Sequence, residues 1–331
     1  MAFMSSNFLD FVSPDCDRLL FLQKELQKMN VSYTIVKIGE LQHIFVHFPQ
    51  SFYSPLFHTK TLLVHYDRAP LNNESKTKYN QGANDNSAAV YQTLHFIKRL
   101  TNGTVGPGLK NRPHNIKIVF TDGEELPGTS AGSFGLAKYF IQNGLVCQND
   151  KGLVNDIYVL DGCGRGTVLG VSTAGKNQKA SPRFARSFDQ LYANCCTLAK
   201  NASPESWVRL PIPYGDNAGF IAHGVPAVML SVLPQDEATK YLRQLQKDKS
   251  FATAVMNHEI VMHGGGLNPE SIKKMRSLGE DPAKALLLSE KLPQTWRMMH
   301  TEFDTKEMLN KEAFELMERF LDVLAFNLVP A

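Results

Sequence analysis

From residue 61 onward the chain alternates short apolar runs with helical stretches: 61–66, about 86–100, 116–121, about 131–143, 156–161, 167–172, about 182–200 and 226–232. Near-continuous apolar strands separated by helices bury both of their faces in an α/β architecture. The rhythm therefore predicts a mixed, mostly parallel central sheet with helices on both faces. A chain of 331 residues is long for one domain, yet open sheets of this kind reach that size, so a single domain over 1–331 is expected.

The ends of the chain frame this core. Ser13-Pro14-Asp15 offers an N-cap hydroxyl and a proline at the first helical position, with Leu19, Leu22, Leu26 and Met29 at helical spacing, which predicts a helix over about 14–29. Two β-rich runs at about 32–38 and 42–48, separated by Gly39-Glu40, read as a hairpin. A closing helix is expected over about 306–328. Residues 234–297 break the rhythm with an amphipathic stretch at 235–248, a run at Gly264-Gly265-Gly266 and a further helix start at Asn268-Pro269. They read as a helical insertion serving as lid or oligomer contact, with the oligomeric state open.

Charge and cysteine content exclude several classes. The net charge is +3 and the basic residues are scattered, which gives no track for a nucleic-acid backbone. The first thirty residues hold Asp10, Asp15 and Asp17 and no basic segment leading into an apolar one, so no secretory signal is read there. No run reaches the roughly 18 apolar residues of a membrane helix. The five cysteines include the adjacent Cys195-Cys196 and no C-x-x-C pair, so neither a disulfide framework nor a cysteine metal site is expected. The simplest setting is the cytoplasm, where sequons such as Asn102-Gly103-Thr104 are chance matches.

Acidic and histidine residues fall at the ends of the predicted strands, the edge where ligands bind in open α/β sheets. Leu62-Leu63-Val64-His65-Tyr66-Asp67 ends an apolar strand in His-x-Asp, and the period of two turns both polar side chains to one side, so that Asp67 can hold the second imidazole nitrogen. Gly82-Ala83-Asn84-Asp85-Asn86-Ser87 opens a helix and, taken alone, reads as its cap. The strand 116–121 runs into Asp122-Gly123-Glu124-Glu125, whose adjacent glutamates are costly together unless cations or protons compensate them; a solvated acidic turn is the alternative. Asp156-Ile157-Tyr158-Val159-Leu160-Asp161 delivers one more carboxylate at a strand end, which also suits a turn cap. Met299-His300-Thr301-Glu302-Phe303-Asp304-Thr305 places a histidine before the closing helix. Each is modest alone, but their joint occurrence in this order points to a metal centre.

The series His-x-Asp, Gly-Ala-x-Asp-Asn, Asp-Gly-Glu-Glu, strand-end Asp and His-Thr-x-x-Asp-Thr resembles the family-28 zinc metallopeptidases, which include aminopeptidases and the related glutaminyl cyclases. The resemblance spans about residues 61–305. It implies two zinc ions per chain, one held by His65 and Asp161 and the other by Glu125 and His300, with Asp85 bridging. It further implies Glu124 as catalytic base, Asp67 orienting His65, a cis Asp85-Asn86 peptide, and a peptide substrate with a free amino terminus. Zinc accepts these donor types and activates water, and a glutamate base can carry the proton to the leaving amine.

The chain also departs from that pattern. Met299 precedes His300 where many of these aminopeptidases carry tyrosine and the cyclases tryptophan, which leaves Tyr214 as the candidate oxyanion partner. Tyr214-Gly215-Asp216-Asn217 resembles the family's Ser-Asp-His segment with Asn217 for histidine; Asp216 either shapes the substrate pocket or caps the helix at about 217–223. His258-Glu259 with His263 imitates a zinc helix, but a spacing of five leaves the common helix face. His43, His47, His95 and His223 read as packing or surface residues. Two rivals stay open: a one-zinc glutaminyl cyclase-like aminoacyltransferase, against which Asp85-Asn86 argues, and a non-catalytic binding protein on the same fold.

Overall fold

The computed structural model describes residues 6–50, 58–69, 80–103, 114–126, 131–146, 148–149, 152–153, 155–176, 181–256 and 288–326. Helices α1 (Ser6–Val12) and α2 (Arg18–Lys28) precede the hairpin β1 (Tyr33–Ile38) and β2 (Leu41–Phe48). The α/β core then runs β3 (Thr59–His65), α3 (Ala88–Asn102), β4 (Asn115–Thr121) and α4 (Ala131–Gln142). After a short pair, β5 (Gln148–Asn149) and β6 (Gly152–Leu153), come β7 (Asn155–Leu160), β8 (Val168–Ser172), α5 (Pro182–Ala202), β9 (Trp207–Leu210), α6 (Asn217–Ala222) and β10 (Val228–Leu233). Helices α7 (Gln235–Lys247), α8 (Lys249–Met256), α9 (Gln294–Met298) and α10 (Lys311–Phe326) complete the described chain.

Eight strands form one sheet in the order β1-β2-β4-β3-β7-β10-β8-β9. The centre is parallel, with β3 between β4 and β7 and β10 parallel to β7; β2 on β4, β1 on β2 and β8 on β10 pair antiparallel. Alternate residues of each strand separate into two cores. Leu62, Val64, Ile118, Tyr158, Leu160 and Leu230 face α2, α3, α5 and α10. Leu63, Val119, Ile157, Val159 and Met229 face α4, α6, α7 and α8. Both faces are thus covered, as a parallel centre requires, and the expected mixed, mostly parallel architecture is the one found.

Several boundaries differ from the expectation for physical reasons. The second helix starts at Arg18 rather than near residue 14, because the Asp17 carboxylate caps it by accepting from the Leu20 amide at 2.9 Å. The carbonyls of Ser13, Pro14 and Cys16 are taken instead by the Arg68 guanidinium at 2.9, 3.0 and 3.2 Å, which holds that stretch outside the helix. The closing helix begins at Lys311, after a 3₁₀ turn at Lys306–Met308, because the Asn310 side chain is engaged with the backbone of Gly166. The short elements α1, β5, β6 and β9 had no counterpart in the sequence reading. From the segment at 234–297, α7, α8 and α9 bury Tyr241, Phe251 and Trp296 in the second core. The triple glycine, the helix start at Asn268-Pro269, and His258, Glu259 and His263 lie outside the described residues.

Candidate metal centre

The parallel strands β3, β4 and β7 end side by side, and the polar residues at their C-terminal ends converge. His65 is the last residue of β3, Glu124 and Glu125 follow β4, and Asp161 follows β7. Asp85 arrives on the irregular turn ahead of α3, where the Asp85-Asn86 peptide is cis, as the resemblance implied. His300 follows α9 with φ +61°, a backbone conformation that a non-glycine residue adopts only at a cost and that is concentrated at functional sites.

The geometry turns on Asp85. One of its oxygens, Oδ1, lies 3.1 Å from His65 Nε2, which is also 3.8 Å from Asp161 Oδ1. The other, Oδ2, lies 3.0 Å from His300 Nε2, which is 2.9 Å from Glu125 Oε2. His65, Asp85 and Glu125 offer donor atoms that all lie within 4.8 Å of one another. Asp67 stands behind the cluster, its Oδ1 3.5 Å from His65 Nδ1 and its Oδ2 accepting from the Glu125 amide at 2.9 Å. Glu124 is partly accessible. A Cβ built on Gly215 would lie 2.8 Å from Asp161 Oδ2 and 3.6 Å from Glu124 Oε1, which places the Tyr214-Gly215-Asp216 backbone against both carboxylates.

A metal fits this donor set on two grounds. Ligands held at about 2.0–2.1 Å with tetrahedral angles sit about 3.3 Å apart, and the approaches above scatter around that value. The buried donors also lack competing partners. His65 Nε2, Glu125 Oε1 and Asp161 Oδ1 make no hydrogen bond of acceptable geometry among the described residues.

Electrostatics gives the same result. Burial would depress His65, but the carboxylates of Asp161, Asp67 and Asp85 reverse this and hold it well above its ordinary value. His300 behaves alike, burial being overcome by Glu125 and Asp85. Burial raises Glu125 to about 7, with His300 opposing and Asp85 adding. Glu124 is raised well above the usual carboxylate range by burial, against His65 and with Glu125, Asp161 and Asp216 adding. Burial would also raise Asp85, yet the imidazoles of His300 and His65 hold it below the ordinary range. So many carboxylates around two imidazoles are compensated either by taking up protons, which neutralises them, or by a cation, which lets them stay ionised.

The supporting shell contains residues that sequence reasoning missed or misassigned. Asp304, buried, accepts from the Asn84 and Asp85 amides at 2.7 and 3.0 Å and so fixes the turn that carries Asp85. The side chains of Asn84 and Asn86 hold that turn to the Gly164 amide and the Leu160 carbonyl, each at 2.7 Å. Asp216 makes no side-chain cap for α6 and instead accepts a hydrogen bond from Thr121 Oγ1, which corrects the capping alternative. Burial raises its carboxyl to about 6, against His65 and Thr121. Tyr214 is half-buried and packs on the first core. Met299 is buried with its methyl against Gly162. His43 is buried while His47 is exposed.

Comparisons with known proteins bear on this centre. Residues 58–324 match the model of peptidase family M28. Among solved structures, the fold resembles a Zn-dependent exopeptidase from Parabacteroides distasonis with TM-score 0.55 and 13% identity, covering 97% of this chain and 95% of that one. It resembles the glutaminyl cyclase of Bacteroides thetaiotaomicron with TM-score 0.55 and 16% identity, covering 98% and 95%. LapB from Legionella pneumophila matches with TM-score 0.53 and 13% identity over 92% of this chain, which spans only 63% of LapB's length. No curated protein matches the chain in sequence. Among the described residues no helix is long and apolar enough to cross a membrane.

Proposed function

The chain belongs to peptidase family M28, and from that premise we propose that it is a two-zinc aminopeptidase removing residues from the free amino terminus of peptides. The observation that carries the reading is the division of Asp85: its two oxygens face different imidazoles, each of which has a second carboxylate beside it, Asp161 in one case and Glu125 in the other. One carboxylate shared between two donor pairs is the arrangement of a two-metal site. Imidazole nitrogen with carboxylate oxygen suits zinc. Zinc bound there would supply Lewis-acid polarisation of the scissile carbonyl and a more acidic water.

The chain's own residues do the rest. Glu124, partly accessible and with raised proton affinity, takes the proton from the attacking water and returns it to the leaving amine, a role worth about 10²–10⁴-fold in rate. Asp67 orients His65 and, through the Glu125 amide, the second glutamate. Asp216 and Tyr214, joined through Gly215 to the wall beside Asp161 and Glu124, are assigned to the substrate, Asp216 as shaping its pocket and Tyr214 as donor to the oxyanion. Cys16, Cys163, Cys195 and Cys196 are free, which supports a reducing compartment such as the cytoplasm.

A one-zinc glutaminyl cyclase-like activity is the second reading, supported by the single compact group found among the described residues, His65, Asp85 and Glu125. The test is hydrolysis of aminoacyl substrates with free and acetylated amino termini by wild type and Glu124→Gln. The reading requires cleavage of the free form only, and a fall of about 10²–10⁴-fold in kcat for the variant with its metal retained. Cyclisation of amino-terminal glutamine without hydrolysis would establish the second reading instead.

A further inference from the structure

The family match begins at residue 58, yet a residue that precedes it donates to three backbone carbonyls around the metal donors. Arg18, the first residue of α2, is buried and lies 4.6 Å over the Phe11 ring. Its Nη1 donates to the carbonyls of Tyr66 and Asp67 at 2.9 and 3.0 Å, immediately after His65. Its Nη2 donates to the Gln81 carbonyl at 2.9 Å and to Ser87 Oγ at 2.7 Å, on either side of Asp85. Ser87 Oγ in turn donates to the Gly82 carbonyl, which closes the turn on itself.

We infer that Arg18 is a positioning residue of the metal centre: its guanidinium ties the strand end carrying His65 to the turn carrying Asp85 and thereby sets affinity for divalent metal. The inference rests on the metal-centre reading above. Three features separate this role from general packing. Both ends of the planar fork are used, one on each donor-bearing segment, a span that the compact ammonium of lysine does not reproduce. All four acceptors are neutral, so the buried cation has no carboxylate of its own and its field acts on the acid cluster, notably Asp67 and Glu125. Burial, aided by Arg68, lowers its pKa only to about 9, so it stays charged at neutral pH.

The experiment measures zinc affinity by chelator competition for wild type, Arg18→Lys, Ser87→Ala and Leu22→Ala, with the visible spectrum of the cobalt-substituted forms and with kcat and KM measured separately. Arg18→Lys is expected to weaken zinc about 10–100-fold, as loss of residues that orient metal ligands typically does, to shift the cobalt bands, and to lower kcat more than it changes KM. Ser87→Ala removes one of the four acceptors and is expected to weaken zinc roughly threefold to tenfold; it is the milder variant should Arg18→Lys fold poorly. Leu22→Ala, on the same helix but buried in the first core, should lower the melting temperature and leave zinc affinity and the cobalt spectrum unchanged. If wild type binds zinc while Arg18→Lys or Ser87→Ala binds it within twofold of wild type with an unchanged spectrum, Arg18 serves folding alone and the inference is overturned. If wild type binds no divalent metal, the metal-centre reading and this inference fall together.

Discussion

Asp304→Asn separates the metal-loaded protein from the chelated one. Asp304 is buried and gives one oxygen to the Asn84 amide and the other to the Asp85 amide. Asparagine has a single acceptor, so one buried amide is orphaned, at about 1–3 kcal/mol, and the surviving bond loses its charge, at about 1 kcal/mol. The loaded protein should therefore lose about 2–4 kcal/mol. Without metal the balance differs. Burial first, and then the charge of Asp85, push the Asp304 carboxyl up to about 7, so at pH 8 the wild type holds a destabilising charge that the variant lacks. That relief offsets most of the lost hydrogen bonding, and the chelated variant should stay within about 1 kcal/mol of wild type. The difference between the states, about 1–4 kcal/mol, appears as zinc affinity lowered roughly 5–700-fold, since about 1.4 kcal/mol is a factor of ten. Urea unfolding of loaded and chelated forms at pH 8, with chelator competition for zinc, measures all three quantities. An equal loss in both states, or zinc affinity within threefold of wild type, would refute the reasoning.

Two further predictions follow from single contacts. Gly215→Ala places a methyl 2.8 Å from Asp161 Oδ2 and 3.2 Å from Met229 Sδ, closer than carbon and oxygen tolerate, so the carboxylate must move. Zinc affinity and kcat should both fall at least about tenfold, in the manner of a displaced ligand environment, whereas wild-type values would show that the wall yields freely. His43, buried and accepting from the Asp122 amide through Nδ1, is lowered to about 4 by burial, with Asp67 opposing. The unfolded chain takes up that proton near 6.5 and the folded chain near 4, so its contribution is complete above about pH 6.5 and declines towards pH 4, by at most about 3 kcal/mol. Comparing urea midpoints of wild type and His43→Asn across that window should show the wild type losing stability faster on acidification; parallel curves would contradict the assignment.

What the sequence disclosed follows from what is local in it. That His65, Glu125 and Asp161 would meet at one sheet edge was legible because a near-continuous apolar strand run ending in an acidic or imidazole residue marks both the element and the edge where its loops splay apart. Asp85 was not legible on such grounds, since Gly-Ala-Asn-Asp-Asn-Ser taken alone reads as a cap; only company with the other motifs singled it out. Arg18 carried no signal, because an arginine at a helix start looks like a solvated one until its acceptors, at Tyr66, Asp67, Gln81 and Ser87, are brought to it by the fold. The same long-range contact by Arg68 explains the misplaced start of α2: Ser13-Pro14 is a sound cap locally, but its carbonyls were already taken. Asp216 was read as cap or pocket residue because its true partner, Thr121, lies across the sheet on β4. The edge strand β9 has only four residues and is partly exposed, which leaves little hydrophobic periodicity to detect.

The central claim, that Asp85 is shared between two metal positions, is tested most directly by anomalous diffraction at the zinc edge from crystals grown without chelator. The account predicts two peaks per chain about 3.5–4 Å apart, one beside His65 and Asp161 and the other beside His300 and Glu125, with Asp85 between them. A single peak, or two peaks of which neither touches Asp85, would contradict it.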